Sequence, residues 1–314
     1  MSFTTDVKAE VGQNILKPCC QKAQLAALIQ LCSSLGLNSQ GLYLTIRTEN
    51  ATTVKRIWTL LKESYAPRME LSILKKMNLK KNNIYVIQVR SNVREILDDL
   101  TLLNEGTLRE HPLKSIVRKD CCARAYLAGA FMASGSVNSP AITSYHLEIA
   151  TLRGTHADYI QQLMLRFDLP AKQIQRRNQY VVYLKASEKI SDFLRLIGAY
   201  ESLMNFEDVR IQRDYINSLT RLDNCELANE VKTLEAGKKQ LESIRILEEN
   251  NRVEHLDYKL QEVIRLRKEN PEASLLELCS LYETNTGTPI SKSGMKHRLA
   301  KLNEMAEKLQ QLSV

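Results

Sequence analysis

CCQKAQLAALIQLCSSL, residues 19–35, returns 102 positions later as CCARAYLAGAFMASGSV, residues 121–137, with no gap between the copies. Cys19 matches Cys121, Cys20 matches Cys122, and Ala23, Leu25, Ala26 and Ser34 match Ala125, Leu127, Ala128 and Ser136. Self-similarity at a fixed spacing marks a duplicated structural unit, and the flanking sequence keeps the correspondence. GLYLTIRTEN, ending at Asn50, matches SYHLEIATLR, ending at Arg153, and both alternate apolar and polar residues as half-buried strands do. Next come two amphipathic helices, with apolar Val54, Ile57, Leu60 and Leu61 in the first copy and Ile160, Leu163, Met164 and Phe167 in the second. IYVIQV after Asn83 then matches YVVYLK after Gln179, and VREILDDLTLL matches KISDFLRLIG. Each half reads helix, strands, helix, strands, helix, so two halves make a pseudo-symmetric α+β domain over about residues 1–200.

The repeated opening helix carries Ala26, Ala27, Ala128, Gly129, Ala133 and Gly135 where an ordinary core helix would carry bulk. A glycine inside a helix costs about 1 kcal/mol relative to alanine, so Gly129 calls for a packing reason. Close approach of the two opening helices at the pseudo-two-fold axis supplies one.

LAGAFMASGSV from Leu127 resembles the LAGLIDADG signature of homing endonucleases, and LAALIQLCSSL from Leu25 is a fainter copy. The resemblance implies a helix pair at the interface of two repeats, strands forming a saddle over DNA, and an acid near the end of each helix that binds a divalent cation. Those two positions fall on Cys32 and Ser134. Phosphodiester hydrolysis of this kind needs hard oxygen ligands for Mg²⁺, which a thiol and a hydroxyl do not provide, so no enzymatic activity is expected there. A rival reading keeps a metal-dependent endonuclease working through other acids, such as Glu148 or Asp158. A third treats the repeat domain as a protein- or ligand-interaction module.

Over almost its full length the chain is similar to the bacterial WhiA family of transcription regulators. The matching stretches are MSFTTDVKAE, LAGAFMASGSV with YHLEIAT, RDYINSLTRLDNCELAN (213–229), ENPEASLLEL and ISKSGMKHRLAKLN. Membership would imply a degenerate LAGLIDADG-like domain joined to a C-terminal helix-turn-helix, and roles in sporulation, cell division and chromosome segregation. The expected fold class is thus a duplicated α+β LAGLIDADG-like domain followed by an all-α helix-turn-helix domain. Residues 1–110 form the first repeat with its N-terminal arm, 111–203 the second, 204–255 a helical connector and 256–314 the DNA-binding domain.

The C-terminal reading also stands on its own residues. A helix over 257–268 closes before Asn270-Pro271, a strong stop. Ser274 with Glu277 three residues later forms a capping box for the next helix, ETNTGTP (283–289) supplies a turn, and Ser291 caps a third helix. In helix-turn-helix proteins the start of the second motif helix enters the major groove. Within the motif, 274–304, Ser291, Lys292, Ser293, Lys296 and His297 are the candidates for base edges and nearby phosphates. Arg298 and Lys301 are candidates for backbone contact or solvation. Weaker candidates for a DNA-facing sheet are Lys75, Lys76, Lys80 and Lys81 in the first repeat and Arg176 and Arg177 in the second. These lysines could equally guard a strand edge. Arg210, Arg213, Asn217, Arg221, Asn224 and Asn229 could line phosphates or pack on the repeat domain.

Lys plus Arg exceed Asp plus Glu by 44 to 36, a surplus that favours a polyanionic partner. From Thr288 to Lys301 there are four cations and no acid. Double-stranded DNA is the expected partner, with transcription or cell-division proteins as further ones. The longest apolar run, Leu25–Leu31, is broken by Gln30 and is too short for a membrane span. The N-terminus lacks the pattern of a secretory or transit segment, so a cytoplasmic, nucleoid-associated protein is expected. Seven cysteines with two adjacent pairs fit reduced thiols packed as small hydrophobes, and no metal or cofactor is expected. No P-loop, G-x-G-x-x-G or H-E-x-x-H is present. An internal pseudo-two-fold weakens the case for an obligate dimer, so a monomer is expected.

Overall fold

The computed structural model describes residues 2–39, 41–75, 83–142 and 144–312, with Leu312 described by its backbone alone. An N-terminal helix, α1 (Phe3–Gln13), precedes the first repeat: α2 (Pro18–Cys32), β1 (Ser33–Asn38), β2 (Gly41–Thr48), α3 (Ala51–Tyr65), β3 (Met69–Lys75), β4 (Asn83–Val89) and α4 (Val93–Asp99). A small hairpin, β5 (Leu103–Asn104) with β6 (Thr107–Leu108), and a 3₁₀ turn at Lys114–Val117 lead to the second. That repeat runs α5 (Asp120–Ser134), β7 (Gly135–Val137), β8 (Leu147–Thr151), α6 (Gly154–Leu165), β9 (Lys172–Arg176), β10 (Gln179–Leu184) and α7 (Ser187–Leu196). The sheets have matching antiparallel orders, β1-β2-β4-β3 and β7-β8-β10-β9. The duplicated α+β architecture expected from the repeat is therefore present element by element.

α2 and α5 pack on each other more extensively than any other pair of helices. Each starts where its sequence allows: Pro18 takes the first helical position after Lys17, where its missing N–H is no loss, and Asp120 begins α5 as an acid at the positive end of the helix dipole. Along α5, Tyr126 to Met132 are all buried. At the crossing, a Cβ on Gly129 would stand 2.5 Å from the Gln24 carbonyl oxygen and 3.0 Å from the Ala27 Cβ. Glycine is thus required by the backbone of the partner helix. Ala27 is the residue that matches Gly129 in the other copy, so the contact lies on the pseudo-two-fold axis.

Two buried polar clusters beside the pair have local partners. In the second repeat the Tyr126 hydroxyl lies 2.8 Å from His156 Nε2, and Thr151 Oγ1 is 3.3 Å from the other ring nitrogen. Burial, followed by the positive charge of neighbouring groups, pushes the His156 ring down to about 3, so it is neutral at physiological pH. In the first repeat Gln24, the counterpart of Tyr126, accepts from Arg56 Nε at 2.7 Å, and Arg56 also donates to the Asn14 carbonyl.

α1 is fastened to the second repeat, 133 residues away: Thr4 Oγ1 both donates to the Val137 carbonyl and accepts from its N–H. The Glu10 carboxylate accepts from the N–H groups of Glu201 and Ser202 and from the Ser202 hydroxyl, capping α8 (Tyr200–Glu249). Arg213, for which two readings were open, donates to the Pro140 and Ile142 carbonyls and stacks over Tyr145, while Arg210 pairs with Glu207.

The chain divides into compact units at 1–213 and 214–314. The second contains the later part of α8, a 3₁₀ turn at Val253–His255, α9 (Tyr258–Glu269), α10 (Leu275–Thr286) and α11 (Lys292–Leu312). Here the expected boundaries need correction. The segment 204–255 is no separate connector: one continuous helix begins at Tyr200, and its Ile244 and Leu247 sit in the C-terminal core with Val263, Leu278, Met295 and Leu299. Composition marked this stretch as helical, but the two buried apolar positions near its end are too few to announce a core helix.

Urea unfolding of Gly129→Ala tests the helix crossing. Intrinsic propensity alone would stabilise the variant by about 1 kcal/mol, whereas overpacking against the Gln24 backbone should destabilise it by about 1–3 kcal/mol net. A raised midpoint would contradict the close approach.

Candidate nucleic-acid interface

α11 follows a turn whose geometry is set residue by residue. Ser274 and Glu277 close a reciprocal capping box at the start of α10. Gly287, at φ 66°, ends that helix in the left-handed region that glycine enters without strain. Ser291 Oγ accepts from the Gly294 N–H at 3.1 Å and opens α11. The preceding turn, between α9 and α10, is held from α9, where the buried Arg267 guanidinium donates to the carbonyls of Asn270, Pro271 and Ala273.

One face of α11 is core: Met295, Leu299, Leu302 and Ala306 are buried. The opposite face exposes Lys292, Ser293, Lys296, His297 and Lys301. The helical period thus gathers five of the expected site residues on one surface, beside the exposed Ser291 cap and the N-terminal N–H groups, which favour an anion. Arg298 is the exception. Its guanidinium lies over the Tyr282 ring, 4.8 Å from the centroid, and is half-buried between α11 and α10. Arg298, expected either to contact the DNA backbone or to remain solvated, instead joins the two motif helices, because it falls about 100° round the helix from His297, toward the core.

In both sheets the helices cover one face, and alternate residues form the other. On the second sheet that open face carries Ser136, Glu148, Tyr183 and Lys172 in one cross-strand row, with Arg176 beyond. On the first it carries Tyr43, Thr45, Arg47, Gln88 and Glu70. The two acids are already engaged: Glu148 with His146 at 2.9 Å and Arg176 at 3.5 Å, and Glu70 with Arg90 at 2.9 Å. Of the candidates chosen by charge clustering, Arg176 reaches this face, while Arg177 sits in the β9–β10 turn at φ 53°. Lys75 shares the alternation of Leu71 and Ile73, opposite to Glu70, and is exposed at the end of β3. Lys76, Lys80 and Lys81 lie outside the described residues. Arg47, Arg90 and Lys172 were missed because they are isolated in sequence; the period-two pattern of GLYLTIRT, with Leu42, Leu44 and Ile46 inward, could have found Arg47.

At the C-terminal ends of the helix pair, Cys32 closes α2 and Ser134 closes α5. Beside them lies Lys8 of α1, 8% exposed, with its Nζ 5.9 Å from the Phe131 ring centroid. Burial lowers the Lys8 ammonium to about 8, with the Cys32 thiol acting in the opposite sense, and burial pushes Cys32 up to about 12. Near pH 7 the thiol is therefore protonated and the lysine charged, the opposite of what a Mg²⁺ site requires. Of the acids in the rival reading, Glu148 is on the open sheet face, whereas Asp158 is exposed on α6, which packs on the other face.

The WhiA N-terminal LAGLIDADG-like domain model matches residues 18–103, the WhiA LAGLIDADG-like domain model residues 123–215 and the WhiA C-terminal HTH domain model residues 219–306. The "Probable cell division protein WhiA" of Macrococcus caseolyticus is 43% identical over 309 residues, spanning 98% of this chain and 97% of its own. The protein of the same name from Staphylococcus saprophyticus is 46% identical over 309 residues, 98% of each chain. In fold, the chain is similar to full-length DUF199/WhiA from Thermatoga maritima, with a TM-score of 0.60 at 21% identity over 98% of this chain and 99% of that one.

Lys8 gives a pH signature. Charged in both folded and unfolded chains below about pH 8, it imposes a constant penalty of about 3 kcal/mol, the equivalent of moving from 10.5 to about 8. Between pH 8 and 10.5 the folded chain sheds the proton first and the penalty disappears. Lys8→Met should therefore be more stable than the parent at pH 7, and urea titrations should show the parent regaining the difference as pH rises to 10.5. A pH-independent difference would contradict the burial of this charge.

Proposed function

Because the chain belongs to the WhiA family, we propose that it is a non-catalytic, sequence-specific DNA-binding transcription regulator whose reading element is α11. The carrying observation is the exposed face of Lys292, Ser293, Lys296, His297 and Lys301, set by a capped turn and held by Arg298 on Tyr282. Lys292 and Lys296 approach phosphates near the helix start, and Ser293 and His297 lie where base edges are read. The open sheet faces, with Arg47, Lys172 and Arg176, assist through backbone contacts. The protein works in the cytoplasm on the nucleoid as a monomer, and contacts with other transcription or cell-division proteins couple its binding to the cell cycle. The relatives' printed name supports a role in cell division; sporulation and chromosome segregation follow from the resemblance. The helix ends that would hold catalytic Mg²⁺ in a nuclease carry a thiol, a hydroxyl and a buried ammonium, so the protein binds DNA without cutting it.

Mobility shifts of the full chain on genomic fragments that it selects should show Lys292→Ala and Lys296→Ala each weakening binding. Each lost phosphate contact should flatten the slope of log affinity against log salt by about one unit. Supercoiled plasmid incubated with the protein and Mg²⁺ or Mn²⁺ should stay intact. Unchanged affinity and slope would remove α11 as the reader, and metal-dependent nicking that is lost in Glu148→Gln or Asp158→Asn preparations would restore the nuclease reading.

A further inference from the structure

The two copies of the Cys-Cys pair, unremarkable when each is read alone, meet in space. Cys19 and Cys20 occupy the second and third positions of α2, and Cys121 and Cys122 the same positions of α5. Because the two helices pack about a pseudo-two-fold axis, their N-terminal turns lie side by side, and all four sulfur atoms fall within 4.8 Å of one another. The sulfurs within each pair are 4.0 Å apart. This corrects the expectation that the cysteines are separate buried small side chains: Cys121 is exposed and Cys19 half-buried. Neither pair offers the usual C-x-x-C fork, and the four-ligand set becomes visible only when the repeat is folded onto itself.

We propose that Cys19, Cys20, Cys121 and Cys122 form a tetrahedral tetrathiolate site for a single zinc ion, which joins the N-terminal ends of α2 and α5. Zinc–sulfur bonds of about 2.3 Å place the sulfurs of a tetrahedron about 3.8 Å apart. The separations here require only small side-chain adjustments to reach that value. An iron–sulfur cluster spreads its cysteines over several irons and needs them farther apart, so the compact spacing favours one metal ion. Four soft thiolates with no oxygen donor among them select a thiophilic metal over Mg²⁺ or Ca²⁺.

The surroundings suit thiolates. Both N-termini direct their positive dipole ends at the sulfurs. Lys17 and Lys119 are the two N-cap residues, and Lys119 favours ionisation of Cys19. Bound zinc would displace the thiol protons, coupling affinity to pH. A groove of about 400 Å³, lined by Lys17, Cys20, Gln24, Cys121 and Arg124 among others, gives a path from solvent to the sulfurs. The ion would be structural: with all four positions filled by protein it leaves none for substrate, and it would close the long chain segment between the two repeats.

Untagged full-length protein, purified under reducing conditions without chelator, should contain about one zinc per chain by elemental analysis, with no acid-labile sulfide. An organomercurial that modifies the thiols should release it. After zinc removal, added Co²⁺ should give the intense visible bands of tetrahedral thiolate coordination, and zinc should raise the Tm of the metal-free protein by roughly 5–10 °C. Cys121→Ser, altering the exposed ligand, should lose the metal while retaining its circular dichroism. Zinc retained by both Cys121→Ser and Cys19→Ser would overturn the assignment. So would protein with all seven thiols titratable, no zinc and no cobalt spectrum, or one containing inorganic sulfide. Because the wild-type metal content decides the matter, misfolding of a variant does not obscure it, and the outcome is independent of DNA binding by α11.

Discussion

The backbone-to-backbone approach of α2 and α5 at Gly129 is the constraint on which the N-terminal unit depends. A side chain larger than hydrogen at that position meets the carbonyl of Gln24, so the helices can be this close only where the sequence places glycine opposite Ala27. From this crossing the remainder follows. Each helix leads directly into the first strand of its own sheet, Ser33 after Cys32 and Gly135 after Ser134, so fixing the helices relative to each other fixes the two sheets as a related pair. α1 reinforces the arrangement by bonding Thr4 to Val137 of the second repeat.

The same geometry gives the helix pair two chemically distinct ends. At the C-terminal end, where the resemblance to homing endonucleases places cation-binding acids, stand Cys32, Ser134 and the buried ammonium of Lys8. At the N-terminal end, four thiols converge. Hard-ligand chemistry has no donors at the first end, and soft donors are concentrated at the second. In the C-terminal unit, a capping box, a left-handed glycine and a guanidinium stacked on tyrosine set the exposed face of α11.

Much of this was legible in the residues. The gapless repeat gave the α+β duplication, Gly129 gave the helix crossing, and Ser274, Glu277 and Ser291 gave the helix starts of the C-terminal motif, because all of these are local signals with a direct backbone meaning. What was not legible depended on contacts distant in sequence. Arg298 reads as one more cation of a basic helix until Tyr282 is seen beneath it. Arg47, Arg90 and Lys172 reach a common kind of surface through strand register, whereas clustering in the chain drew attention to Lys75, which alternates to the other side. The four cysteines were visible as two pairs, but the juxtaposition that makes them a ligand set is a property of the folded axis. The end of α8 enters the core through buried Ile244 and Leu247, with Ile246 partly buried beside them, too little apolar surface to mark a core helix by periodicity.

If the helix crossing unites the repeats, neither can open without the other. Native-state hydrogen exchange tests this directly, by comparing the amides of Leu25–Ile29 in α2 with those of Leu127–Phe131 in α5 as denaturant is increased. The expected result is that both sets are among the slowest to exchange and share one opening free energy and one denaturant dependence, as a single cooperative unit requires. Exchange of one set through a distinctly lower-energy opening, while the other stays protected, would contradict the account.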